Sequence, residues 1–401
     1  MKILLVNKFH YMKGGSETYY FGLSELLRQH GHEVIHFSME DEKNAPCDQA
    51  KYFVGNVDFN APMGKMQQIR SGLRLLYSRE AKKKFRQLLE DERPDVIHLN
   101  IFQSQLTGSI VDVARSFGIP VVYTAHDLKS ICPNYQAMGH GEVCEKCFGG
   151  KYTNCLRTGC MKDSKMKSLL ATAEAYVYQW RKIYRKIDLV ITPSAFYREK
   201  IGASGVFRCP IVHMTNFLPP QTEYRAMQGG EDYFLYFGRL SREKGILTLV
   251  RAFAASQTPY PLYIVGTGPE REQIEQLIAE LHLTERVKLL GFKRGEELRE
   301  LVAGARAVCL LSEWYENGPY SIMEALSMGK ACIVSNIGGL PELIEDGVNG
   351  VTVPPGNVEE IARVLDTFEP PNGEAIAARA KERFSAESYV KQLIRHYEEL
   401  L

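Results

Sequence analysis

Short runs of apolar residues alternate with amphipathic segments along nearly the whole chain, and few folds accommodate that pattern. In the first half the runs lie at 2–6, 33–37, 95–100, 121–124 and 188–192, with helical patterns at 16–30, 65–90, 103–116 and 165–185. In the second half they lie at 233–237, 262–265, 287–290, 307–311, 331–334 and 350–353, with helical patterns at 246–255, 269–281, 295–303, 320–328 and 358–368. Most runs are continuously apolar, as strands covered on both faces require. Such β–α alternation builds parallel sheets with helices on either side. The expected fold class is therefore α/β, with doubly wound parallel sheets.

At 401 residues the chain exceeds the usual size of one core, so two domains are expected. The joint falls where Pro219-Pro220 and Gly229-Gly230 break the pattern, which divides the chain into 1–215 and 216–384. A last helix, 385–401, carries an apolar stripe of Tyr389, Val390, Leu393, Ile394 and Tyr397, and is expected to pack back on the first domain. Ligands of open α/β sheets bind beyond the carboxyl ends of the strands, so the site is expected in the cleft between the domains. A net charge of +1 gives no general argument for nucleic acid binding. The N-terminal apolar run is too short for a signal peptide, and no stretch approaches the ~20 residues that span a bilayer. The expected location is cytoplasmic, or peripheral on the inner face of the cell membrane.

Four strand-to-helix loops carry chemistry. Lys13-Gly14-Gly15-Ser16-Glu17 follows the first strand, with Ser16 placed to cap the helix. Phe237-Gly238-Arg239 through Lys244-Gly245 offers Arg239 and Lys244 to a diphosphate. Val265-Gly266-Thr267-Gly268-Pro269 is a glycine-rich turn. The fourth loop, Glu316-Asn317-Gly318-Pro319-Tyr320-Ser321-Ile322-Met323-Glu324, sets two carboxylates eight positions apart across a helix start. Backbone N–H groups at such a start attract phosphate, and carboxylates accept hydrogen bonds from sugar or ribose hydroxyls.

The second half resembles the nucleotide-sugar-binding domain of family 4 glycosyltransferases, which have the GT-B fold of two Rossmann-like domains. The matching pieces are FGRLSREKG (237–245), VGTGPE (265–270), LLGF (289–292), ENGPYSIMEA (316–325), SNIGGLPELI (335–344) and VNGVTVPPGN (348–357). The first half is similar through KGGSE (13–17), PDVIHLN (94–100) and TAHD (124–127). The resemblance implies retaining transfer of a hexose from a nucleotide-diphosphate sugar, UDP-hexose being preferred over a GDP-sugar, to a glycan or lipid-linked acceptor in surface polysaccharide or glycoconjugate assembly. It implies Arg239 and Lys244 at the diphosphate, Glu324 at the ribose and Glu316 at the transferred hexose. Pro319, Tyr320, Ser321 and Ile322 would meet sugar and phosphate through the backbone. Gly15 and Gly266 would approach the donor, Phe292 would line the base pocket, and His126 would be the active-site histidine. Whether Glu316 is nucleophile or positioning group stays open. No Asp-x-Asp pair is present, so transfer without a metal is expected. Family members often carry a second glycine where this chain has Tyr320, which leaves donor choice open.

Five of the nine cysteines fall in an insert at 132–160. Cys144 and Cys147 form a C-x2-C knuckle, and with Cys155 and Cys160 they offer four thiolates to a structural zinc. An iron–sulfur cluster, disulfides or free thiols are the alternatives. Basic residues crowd 65–86 (Lys65, Arg70, Arg74, Arg79, Lys82, Lys83, Lys84, Arg86) and recur at 162–186, interleaved with apolar ones. Such helices either lie on an anionic membrane or present a solvated charged face. Two other readings compete: a sugar-nucleotide epimerase of the same fold, and a non-catalytic partner in a polysaccharide assembly complex.

Overall fold

The structure is a computed structural model that describes residues 1–56, 65–219, 226 and 232–401, those at 65–70 by backbone alone. Most of the expected joint, 216–232, lies outside the described residues, as do the side chains of Lys65 and Arg70. The chain divides into two units: Met1–His140, Cys144–Pro220 and Ala386–Leu401 form the first, and Gln221–Ser385 with Gly141–Val143 the second.

The first unit is built on a sheet of six parallel strands: β1 (Lys2–Val6), β2 (Glu33–Phe37), β3 (Val96–Leu99), β4 (Val121–Thr124), β5 (Leu189–Thr192) and β6 (Ile211–His213), in the order β2-β1-β3-β4-β5-β6. Ile3, Leu4, Leu5 and Val6 are fully buried, as a strand covered on both faces should be. The second unit holds β7 (Tyr233–Phe237), β8 (Leu262–Val265), β9 (Val287–Gly291), β10 (Ala305–Leu310), β11 (Cys332–Ser335) and β12 (Gly350–Val353), in the order β9-β8-β7-β10-β11-β12. Both are Rossmann-like, and together they make the GT-B class of fold. In each sheet the strand order reverses beside the first strand, between β1 and β3 and between β7 and β10, and ligands of such sheets bind at that reversal.

Several elements differ from the sequence reading. The pattern at 65–90 is two helices, Lys65–Leu76 and Arg79–Glu92, because Ser78 starts a new one by accepting a hydrogen bond from Ala81 N–H at 3.1 Å. The helix expected from 103 begins only at Ser109, since Ser104 and Thr107 adopt left-handed backbone conformations (φ 70° and 64°). Strand β6 escaped notice because it is short and only half-buried, with Pro210 before it. The helix Ala195–Ala203 was missed as well, its weak amphipathicity giving little periodic signal. The terminal helix Ala386–Glu398 packs on the helix Gly15–Gln29 of the first unit, burying Tyr389, Val390, Leu393 and Tyr397. Among the described residues, no helix is long and apolar enough to cross a membrane.

Candidate active site

In the second unit the loops after β7 and β10 meet at the strand reversal. The loop after β7 runs through Arg239 to a short turn at Arg242–Lys244, and Gly245 opens the helix Ile246–Ala255. A Cβ on Gly245 (φ 65°) would fall 1.9 Å from the Leu311 carbonyl oxygen, so only glycine lets this helix start press against the end of β10. That approach brings Lys244 Nζ to 2.6 Å from Glu316 Oε1, the same oxygen that accepts the Ser312 hydroxyl at 2.6 Å. Glu316 is 4 % exposed, and the Trp314 ring lies 5.4 Å from Lys244 Nζ. The Glu316 backbone is gripped as well: its carbonyl accepts Gly339 N–H at 2.7 Å, and a Cβ on Gly338 would come within 2.6 Å of its nitrogen.

The glycine turn after β8 packs against the same loop. A Cβ on Gly266 would meet the Gly238 carbonyl oxygen at 1.8 Å, so the two backbones touch directly. Gly266 N–H donates to the Gly291 carbonyl at 2.8 Å, which sets Phe292, 67 % exposed, beside this edge. Arg239 is exposed, and its carbonyl accepts the Tyr236 hydroxyl at 2.7 Å. The helix Tyr320–Ser327 starts after Gly318 (φ 94°) and Pro319, with Glu324 half-buried in its second turn. Ile322 N–H donates to the Pro319 carbonyl at 3.2 Å, within the helix start.

The first unit carries its own set at the β1–β3 reversal. His126, just beyond β4, meets Asn100 Oδ1 through Nε2 at 2.9 Å. Asn100 Nδ2 donates to the Val6 carbonyl at 3.3 Å, which orients the amide so that Oδ1 faces the histidine. His126 Nε2 must then be the protonated nitrogen, leaving Nδ1 as an acceptor. Burial pushes the His126 pKa down to about 3, so the ring stays neutral near pH 7. Its edge packs on Tyr19, whose hydroxyl meets Thr124 Oγ1 at 3.2 Å and the Tyr389 hydroxyl at 2.7 Å. His98 closes this network, with Nε2 2.7 Å from Thr124 Oγ1 and Nδ1 2.5 Å from the Tyr397 hydroxyl. Gly15 is the exposed first residue of its helix, but Ser16 does not cap it. The Ser16 hydroxyl donates instead to Glu17 Oε1 at 3.0 Å, a buried carboxylate also held by Asn7 Nδ2 at 3.0 Å.

Ser312, Gly338 and Asn100 were not singled out from the sequence. Ser312 and Asn100 are detectable by position, each being the first polar residue beyond a buried apolar strand at the ligand-binding edge.

Among the described residues no group of three or more His, Cys, Asp or Glu side chains is arranged to hold a metal. Cys147 has Cys132, Cys144, Cys155 and Cys160 within electrostatic reach. Cys155 and Cys160 do approach each other, Sγ to Sγ, at 3.5 Å, packed with buried Cys147 and Tyr152. Part of the basic surface is neutralised within the fold. Arg74 pairs with Glu80 at 2.9 Å, Lys84 with Glu40 at 2.9 Å, and Arg181 with Asp112 at 2.6 Å, where Lys186 also binds.

The fold and these loops define a class, and comparison with known proteins supplies the family. The family described as glycosyl transferases group 1 matches residues 222–398, and the glycosyl transferase 4-like domain matches residues 14–216. The chain belongs to the family 4, group 1 glycosyltransferases. It is 34% identical over 179 residues to an uncharacterized glycosyltransferase of Methanocaldococcus jannaschii, covering 43% of this chain and 46% of that protein. It is 31% identical over 187 residues to the alpha-D-kanosaminyltransferase of Streptomyces kanamyceticus, covering 43% and 48%. The chain thus spans about half the length of the curated relatives it matches. Sucrose-phosphate synthase from Thermosynechococcus elongatus has the same fold at a TM-score of 0.70 and 21% identity, covering 100% of this chain and 98% of that one. So does Anabaena HepE, solved in complex with UDP-glucose, at a TM-score of 0.69 and 20% identity with 100% of both chains covered.

Proposed function

We propose that this chain is a retaining glycosyltransferase that moves a hexose-type sugar from a nucleotide-diphosphate sugar to a glycan or lipid-linked acceptor in polysaccharide or glycoconjugate assembly. The observation that carries the reading is the contact of Lys244, Glu316 and Ser312 at the strand reversal of the second sheet, beside exposed Arg239. A diphosphate leaving group gathers negative charge as the anomeric bond stretches. Fixed cations and helix-start dipoles stabilise that charge without reorganising. Lys244 and Arg239 take this role, and the start of the helix Tyr320–Ser327 adds its dipole. Glu316, released from Lys244 once the diphosphate binds, is left with an uncompensated carboxylate for the hexose. Glu324 takes the ribose and Phe292 the base. His126, neutral and with Nδ1 accepting, suits a sugar hydroxyl. HepE, a protein of the same fold solved with UDP-glucose, favours a UDP-sugar here.

Transfer is expected without a divalent metal, the cations at the diphosphate being side chains; activity lost in EDTA and restored by Mg²⁺ would refute this. The acceptor side reads as membrane-peripheral. Met166, Leu169 and Trp180 are 66 %, 45 % and 81 % exposed and fall within an arc of about 60° on the helix Lys165–Trp180, with Lys165 at its border. A thermal-shift screen of nucleotide sugars, followed by transfer assays on wild type and Glu316→Ala, tests the whole reading. Stabilisation by one donor and loss of transfer in the variant are expected. A chain that no nucleotide sugar stabilises, or a variant as active as wild type, would refute it.

A further inference from the structure

The carboxyl edge of the first sheet also carries a concentration of positive charge that His126 and Asn100 do not use. Lys8 lies two residues beyond β1, and Lys8 and Lys13 both stand over the Phe9 ring, their Nζ atoms 5.1 Å and 3.5 Å from its centroid. Lys129, beyond β4, and Lys162 are further ammonium groups within electrostatic reach of Lys8. Glu17, within reach of Lys13, is held by Asn7 Nδ2 and the Ser16 hydroxyl, and two further carboxylates nearby are engaged as well. Glu174 takes Lys129 Nζ at 2.9 Å and Ser104 N–H at 2.7 Å, while Asp127 accepts Lys129 N–H at 2.8 Å. Among the described residues Lys8 forms no ion pair and no side-chain hydrogen bond. Burial and its like-charged neighbours push the Lys8 pKa down to about 8. A half-buried cation among like charges, with no anion of its own, is costly until something brings the missing charge.

We propose that Lys8 and Lys13, beside Phe9, bind an oxyanion of the acceptor, a phosphate or a carboxylate. That the ligand is the acceptor rests on the transferase reading; the anion site itself does not. Lys8 is central because it alone of this group is both partly withdrawn from water and unpaired. An oxyanion seated there makes charge-assisted hydrogen bonds and restores the ordinary ionisation of the lysine.

The test follows individual lysines of the full chain by carbon-13 dimethylation and NMR, with the Lys8 signal assigned from its absence in Lys8→Met. Methyl phosphate is expected to shift the Lys8 and Lys13 signals saturably and to raise the Lys8 titration by about one pH unit. In Lys8→Met the dissociation constant read at Lys13 should rise about tenfold or more, and Lys8→Arg should keep most of the affinity. Without any anion, Lys8→Met should melt no lower than wild type, because an unpaired charge is removed. Saturation by glucuronate but not methyl phosphate assigns the carboxylate form of the site. A larger Lys8 response to vesicles containing phosphatidic acid assigns a lipid phosphate. A Lys8 signal that ignores all three probes, or a shift that is linear and vanishes in ordinary salt, overturns the proposal. If Lys8 responds but no nucleotide sugar stabilises the chain, the transferase reading falls and the anion site stands. If nucleotide sugars bind and Lys8 is silent, only the anion site falls.

Discussion

Replacing Glu316 by glutamine should separate donor binding from transfer. Lys244 Nζ is held by Glu316 Oε1 at 2.6 Å, and the two side chains are 19 % and 5 % exposed. A donor diphosphate must take Lys244 away from that carboxylate. Breaking a fully buried pair by removing one partner costs about 3–5 kcal/mol. Lys244 keeps some contact with water, and a glutamine oxygen can still accept from Ser312, so about 1–2 kcal/mol is the expected loss here. For a unit of this size that lowers the melting temperature by roughly 2–8 °C. With its competitor gone, Lys244 is free for phosphate, and UDP should bind as tightly as to wild type or up to about tenfold tighter. On the proposed function, which puts this carboxylate at the hexose, transfer should fall by about a hundredfold or more. Calorimetric UDP titration and donor-to-acceptor transfer, measured on the same preparation, give both numbers. A glutamine variant that binds UDP much more weakly while folding normally would refute the idea that Glu316 restrains Lys244.

Three further outcomes follow from the geometry. His98 and His126, both with pKa pushed down to about 3 by burial, stay neutral in the fold while the unfolded chain takes up protons below about pH 6.5. Stability should thus be full above that pH and fall towards pH 4 with a slope of up to about 1.4 kcal/mol per pH unit for each ring; urea melts at pH 7 and pH 5 that coincide would contradict this. Gly338→Ala forces a side chain into a left-handed conformation (φ 62°) against the Glu316 backbone, at a cost beyond the about 1–2 kcal/mol of the conformation alone, and should reduce transfer more than UDP binding. Diamide should join Cys155 to Cys160, already 3.5 Å apart, with a mass loss of two hydrogens, whereas a stoichiometric metal in protein purified without added zinc would support the tetrathiolate reading.

Much of the fold was legible because strands buried on both faces leave an unmistakable apolar run. Lys2–Val6, Glu33–Phe37 and Tyr233–Phe237 appear in the structure with the bounds read from sequence. Where a segment is half-exposed, as at Ile211–His213, the apolar signal fades and the strand was missed. The glycine-bearing strand-to-helix loops were legible too, because glycine after a strand is a local requirement. Their partners were not. That Ser312 shares an oxygen of Glu316 with Lys244, or that Gly338 grips the Glu316 backbone, depends on loops brought together from distant parts of the chain. The cysteine spacing offers four thiolates, and what the fold adds is the helix Thr153–Thr158, which carries Cys155 to 3.5 Å from Cys160.

The terminal helix has a consequence for the order in which the molecule matures. Its Tyr397 hydroxyl meets His98, and its Tyr389 hydroxyl meets Tyr19, so the first unit ends with residues made after the entire second unit. Domains generally fold in the order in which they leave the ribosome, the N-terminal one first. Here the earlier unit must wait, its His98 nitrogen and Tyr19 hydroxyl lacking these partners, until the helix Ala386–Glu398 emerges. A nascent chain stopped before Ala386 would hold a finished second unit and an unfinished first one.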